Sequence, residues 1–168
     1  MIRFLAVLLL GPLLSENARA QEFTVTVDYS RPLLQFILDG QYETISRDFV
    51  SQNFPEHAAK YSVHPKHWNS QVITTIEIIP LNHTYTSDAL IRLHEWGYRP
   101  ANFYELLALG EELGQDQRYR LIAALGSGDP RHITYLEYNS LGWHTNEGYS
   151  KQNQVFWNGE WWFAAVRH

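Results

Sequence analysis

Histidine and carboxylate side chains crowd one stretch of this chain: Glu56, His57, His64 and His67 fall within twelve residues. Imidazole and carboxylate are ligands that zinc, nickel and copper prefer, which makes His57, His64 and His67 a candidate metal site. The spacing is irregular, however, and Lys66 would oppose a cation, so solvated loop histidines are the favoured reading. Ser127, flanked by Gly126 and Gly128, is the candidate nucleophile for a small hydrolase. A nucleophile elbow carries glycine two residues before and two after its serine and leads into a helix; here Asp129-Pro130 follows and a strand comes next, which favours a plain turn.

A second kind of chemistry is stacking. Trp143, Trp157, Trp161 and Trp162, with Tyr135, Tyr138 and Tyr149, make the C-terminal third the most aromatic part of the chain. Such rings serve either as core or as a platform for a sugar ring or a partner's apolar side chain. Core is favoured for Trp157 and Trp161. Trp143 is expected to be exposed, because residues 139–153 read as a loop of a length that is usually functional or disordered. Arg99 is ambiguous: it can pair with a buried carboxylate or grip an anionic ligand, and the structural role is favoured. The candidate ligand-binding set is therefore Arg99, Trp143, Trp157, Trp161, Tyr138 and Tyr149. No stretch carries a strong catalytic or cofactor signature, and no cofactor is expected.

Composition narrows the classes further. The absence of cysteine excludes disulfides, thiolate zinc sites and a cysteine nucleophile. Arg3, the apolar run 4–14 and Ala18-Arg19-Ala20 have the three parts of a secretory signal, so residues 1–20 are read as a signal peptide and 21–168 as one mature domain, secreted or periplasmic. Losing Arg3, Arg19 and Glu16 takes the formal charge from -5 to -6. With scattered Lys and Arg, that argues against nucleic acid. The apolar run is too short to span a bilayer and no other candidate exists, so no membrane span is expected in the mature chain.

These side chains need elements to hold them. Residues 23–28 alternate apolar and hydroxyl types and predict a strand; Ser30 and Pro32 open a helix that Gly40 closes. Residues 71–79 predict a second strand, stopped by Pro80. Thr86 or Ser87 caps a helix that Gly97 ends, Arg99-Pro100 forms an extended link, and Asn102 with Glu105 forms a capping box for a helix from Phe103 to about Glu112. Residues 121–125, 133–138, 154–157 and 160–167 predict strands. Asn158-Gly159 predicts a hairpin joining the last two; both of its faces are apolar, so it is either central in a sheet covered on both sides or has one face kept for a partner. The fold class is α+β, with an N-terminal strand-helix unit, two central helices and a C-terminal antiparallel sheet.

Four of these blocks, residues 23–29, 97–108, 124–127 and 165–167, resemble a family of small uncharacterised bacterial proteins with a Gly-x-Arg-Pro-Ala block running into Glu-Leu-Leu-Ala, an Ala-Leu-Gly-Ser turn and a terminal Ala-Val-Arg strand. Arg99, Pro100 and Glu105 are also similar to a block in the C-type-lectin-like fold of formylglycine-generating-enzyme-type domains. There, Pro100 following Arg99 directly, Leu106 in place of tryptophan and the lack of cysteine depart from the pattern, so that alternative fold implies ligand display rather than catalysis. The expectation is an exported, non-enzymatic binding or interaction module for a carbohydrate, peptide or protein ligand. A small hydrolase or metal-dependent enzyme built on the histidines or Ser127 is the competing class.

Overall fold

A computed structural model describes residues 20–42, 44–45, 70–114, 121–126, 132–137, 140–145 and 155–168. The signal-like segment 1–19, the histidine-rich segment and Ser127 lie outside them. No helix among the described residues is long and apolar enough to cross a membrane.

The fold is α+β. Strand β1 (Gln21–Asp28) pairs antiparallel with β3 (Gln71–Pro80), and β3 pairs antiparallel with β10 (Trp161–Arg167). On its other side β10 runs parallel to β6 (Leu121–Ala124), followed by β7 (His132–Glu137), β8 (Ser140–Thr145) and the two-residue β2 (Thr44–Ile45). N- and C-terminal strands share one mixed sheet: β6, β7 and β8 are antiparallel neighbours, as expected of the C-terminal strands, and β10 joins them parallel to β6. Residues 140–145, expected to be loop, form its strand β8, despite Gly142 and the broken alternation that hid it.

Helices cover both faces. Helix α1 (Leu33–Asp39) and helix α3 (Phe103–Leu113) pack on one side, against Val25, Val27, Ile76, Ile78, Ile122, Ala164 and Val166. Helix α2 (Thr86–Glu95) packs on the other, against Ile79, Phe163 and Ala165. Strand β10 is therefore central and buried on both faces, which is why residues 163–166 read as an unbroken apolar run.

Local signals set most boundaries. Gly97 ends α2 at φ 80°, a left-handed conformation, and donates its N–H to the His94 carbonyl at 3.0 Å. The Asn102–Glu105 capping box is complete. The two other expected caps are not made. Pro32, not Ser30, precedes α1, because Ser30 turns back to the Asp28 carboxylate at 2.5 Å. Tyr85 precedes α2, and the hydroxyl of Thr86 serves the core instead.

Neither the expected Asn158-Gly159 turn nor the hairpin forms: neither residue has positive φ, and the chain turns instead through Gly159-Glu160, with the Trp161 N–H donating to the Asn158 carbonyl at 3.4 Å. Strand β9 (Phe156–Trp157) leaves the main sheet and pairs with β4 (Thr84–Tyr85), making a two-stranded outer sheet over the α2 side. Trp157 consequently packs with Trp161 and Phe163, from which a regular hairpin would have separated it.

Candidate functional site

Arg99 lies on β5 (Tyr98–Pro100), which lies alongside β10 with Arg99 opposite Val166. That register directs it to the α3 side, where the first turn of α3 presents Glu105. Its guanidinium meets the carboxylate as a fork, Nη1 donating to Oε2 at 2.9 Å and Nη2 to Oε1 at 2.6 Å. Glu105 is 1 % exposed. Its Oε2 also accepts the Asn102 N–H at 2.8 Å, and its Oε1 the Tyr29 hydroxyl at 3.3 Å; Asn102 Nδ2 in turn donates to that hydroxyl at 3.1 Å. Burial and the neighbouring Glu105 charge push the Tyr29 phenol up to about 12.

Four polar side chains converge here, and both Glu105 oxygens are taken up by partners inside the group. Such a closed network positions backbone: it ties the end of β1, strand β5 and α3 to one point. The same point collects the other sequence blocks. Ala101 N–H donates to the Ala164 carbonyl at 2.8 Å, Gly126 N–H to the Ala101 carbonyl at 3.0 Å, and His168 N–H to the Gly97 carbonyl at 3.0 Å. Residues 97–108, 124–127 and 165–167 were legible as separate patterns; the structure brings their described parts together. Arg99 is the pin of that junction, not a free ligand arm.

Across the sheet a second buried carboxylate is held the same way. Glu77, 3 % exposed, accepts from Tyr98 Oη at 2.5 Å and from Arg167 Nε at 2.8 Å, and the Arg167 guanidinium lies 4.8 Å from the Tyr98 ring centroid. Desolvation and the Glu77 contact both raise the Tyr98 phenol.

The outer sheet differs, because its two sides have opposite characters. Inward, Trp157 is 1 % exposed and donates Nε1–H to Thr86 Oγ1 at 3.1 Å, so it is a core residue and leaves no ring face for a ligand. Its neighbour Trp161 is half-buried, edge-on to Trp157 at 4.7 Å and to Tyr135 at 5.4 Å. Outward, Tyr85 and Phe156 are cross-strand partners, 48 % and 53 % exposed, with centroids 5.2 Å apart at 63°. His83 lies 6.3 Å from Phe156. Beside them an added Cβ at Gly159 would stand in ordinary contact, 3.6 Å from His83 Nε2 and 3.7 Å from Asn82 Oδ1.

Of the other candidates, Trp143 sits in β8, its backbone opposite Thr134, with its side chain outside the described part. Tyr138, Tyr149, His57, His64 and His67 lie outside the described residues. Among the described residues no group of three or more metal-ligating side chains is assembled. Tyr85 and Phe156 were missed by sequence reasoning. Phe156 had a usable signal: adjacent strand residues point to opposite faces, so a buried Trp157 turns Phe156 outward.

Compared with models of known protein families, with curated proteins and with solved structures, the chain shows no match.

Proposed function

We propose that the chain is an exported, non-enzymatic binding module whose recognition surface is the outer face of β4 and β9. One observation carries this reading: two large aromatic rings, Tyr85 and Phe156, stand about half exposed and packed on each other on a sheet whose inner side is locked by Trp157. Exposed large aromatics in a cluster are uncommon on a surface without a role, and they lose little side-chain entropy on binding. Asn82, His83, Asn158 and Glu160, near the two rings along the chain, are exposed and polar, a composition that suits a recognition site with an apolar centre and a polar rim. The aromatic surface expected in the tail is thereby reassigned, from Trp157 to Phe156 and from the tail alone to a surface shared with β4.

The test compares wild type with the Tyr85→Ser/Phe156→Ser variant on arrays of oligosaccharides and peptides. Binding by wild type that the variant loses, at an unchanged melting temperature, supports the proposal. Equal binding by both proteins contradicts it.

A further inference from the structure

His94 and His168 lie far apart in the sequence, yet a single backbone residue holds both. Gly97 donates its N–H to the His94 carbonyl and accepts the His168 N–H on its own carbonyl, each at 3.0 Å. The first bond closes the last turn of α2, and the second continues the pairing of β10 with β5, in which Arg167 lies opposite Tyr98. Both imidazoles thus hang from anchored backbone, with ring centroids 6.0 Å apart at 75°. Both side chains are exposed. Gly97 is exposed too, and a Cβ built on it would meet nothing within 4 Å, so the junction is open to solvent.

Two imidazoles at this spacing have a chemistry that one alone lacks. A divalent transition metal sits about 2.0–2.1 Å from an imidazole nitrogen, hence roughly 3 Å from the ring centroid. Rings 6.0 Å apart are within the span of one shared ion, and exposed side chains turn freely enough to aim a nitrogen at it. The local electrostatics agree. His94 is in the last turn of α2, where the negative end of the helix dipole favours a cation. Arg92, in the same turn, is two residues from His94 and faces another side of the helix. Arg167, next to His168, is committed elsewhere: its Nε donates to Glu77 at 2.8 Å and its guanidinium lies over the Tyr98 ring.

We propose that His94 and His168 form a two-imidazole clip for a divalent transition-metal ion, copper binding more tightly than nickel or zinc. Water completes the coordination at so exposed a site. A bound ion ties the end of α2 to the residue that follows β10, and therefore stabilises the folded chain. The clip is at the opposite end of α2 from β4, so its test stands apart from that of the outer face.

The test titrates Cu²⁺ into untagged wild type, His94→Gln, His168→Gln and His57→Gln/His64→Gln/His67→Gln, with a thermal melt of each metal-free protein to establish that it is folded. Expected is a saturable site in wild type that weakens about tenfold or more in each single variant, because two imidazoles held together bind as a chelate. The triple variant should keep that site. Bound Cu²⁺ should also broaden the amide signals of residues 94–97 and 166–168, and raise the Tm of wild type more than that of His94→Gln. Equal affinity in wild type and both single variants overturns the proposal, as does binding that only the triple variant loses. A wild type without saturable Cu²⁺ binding overturns it too.

Discussion

Replacing Arg99 with methionine removes both charged donors from Glu105 while keeping much of the aliphatic stem. Breaking one side of a buried ion pair costs about 3–5 kcal/mol, because the remaining charge is left without its partner. Two features of the site lower that figure. The Arg99 side chain is 29 % exposed, so water can reach the vacated position, and Glu105 keeps the Asn102 N–H and the Tyr29 hydroxyl. The expected loss is therefore about 2–3 kcal/mol, or about 5–10 °C in Tm for a domain of this size. Urea unfolding followed by tryptophan fluorescence measures it as a lower midpoint at an unchanged m value. Arg99→Lys should fall between, since lysine restores the charge without the two-pronged geometry. A loss below about 0.5 kcal/mol for Arg99→Met would refute the reasoning. The guanidinium would then not be holding Glu105 and would be free for a ligand.

Three further outcomes follow from the same geometry. Gly126→Ala should destabilise the fold by about 3 kcal/mol or more, because the new Cβ would run into the Ala101 carbonyl and lie 2.9 Å from the Pro100 oxygen, a clash with backbone that cannot swing aside; urea unfolding reads the loss. Thr86→Val keeps the shape but leaves the buried Trp157 indole N–H without its acceptor, at a cost of about 1–3 kcal/mol in the same assay. Tyr29, whose folded phenol is raised from 10.0 to about 12, favours the folded state fully below pH 10 and loses that contribution as pH rises toward 12; a spectrophotometric titration should show several late tyrosinates, since burial also raises Tyr42, Tyr98 and Tyr104, and Tyr29→Phe should remove one of them.

What could be read from the sequence was whatever is decided locally. Gly97 and the Asn102–Glu105 box announce a helix end and a helix start within a few residues, and residues 71–79 and 163–166 reveal strands by composition alone. Partners at long range stayed hidden. Nothing near Glu105 shows that Tyr29, 76 residues earlier, donates to it, and the Arg99 pairing depends on β5 and α3 meeting over one face of the sheet. The Asn158-Gly159 signal misled twice: the chain turns one residue later, with neither residue at positive φ, and the strands it should join do not pair. A turn signal does not choose the strand's neighbours, and β10 pairs on both edges with β3 and β6, which leaves β9 to pair with β4. Ser30 and Thr86 illustrate the same limit, since the Ser30 hydroxyl bonds the Asp28 carboxylate and the Thr86 hydroxyl the Trp157 indole instead of capping a helix.

The central claim is that recognition belongs to the outer face of β4 and β9 and that the Arg99–Glu105 junction is structural. Amide chemical-shift mapping of the isotopically labelled protein, titrated separately with a peptide and an oligosaccharide that it binds on the arrays, tests it most directly. Perturbations clustered on residues 82–85 and 155–160, with Arg99, Asn102 and Glu105 unmoved, are the predicted result. Perturbations centred on Arg99 and Glu105, with the outer face silent, would contradict it.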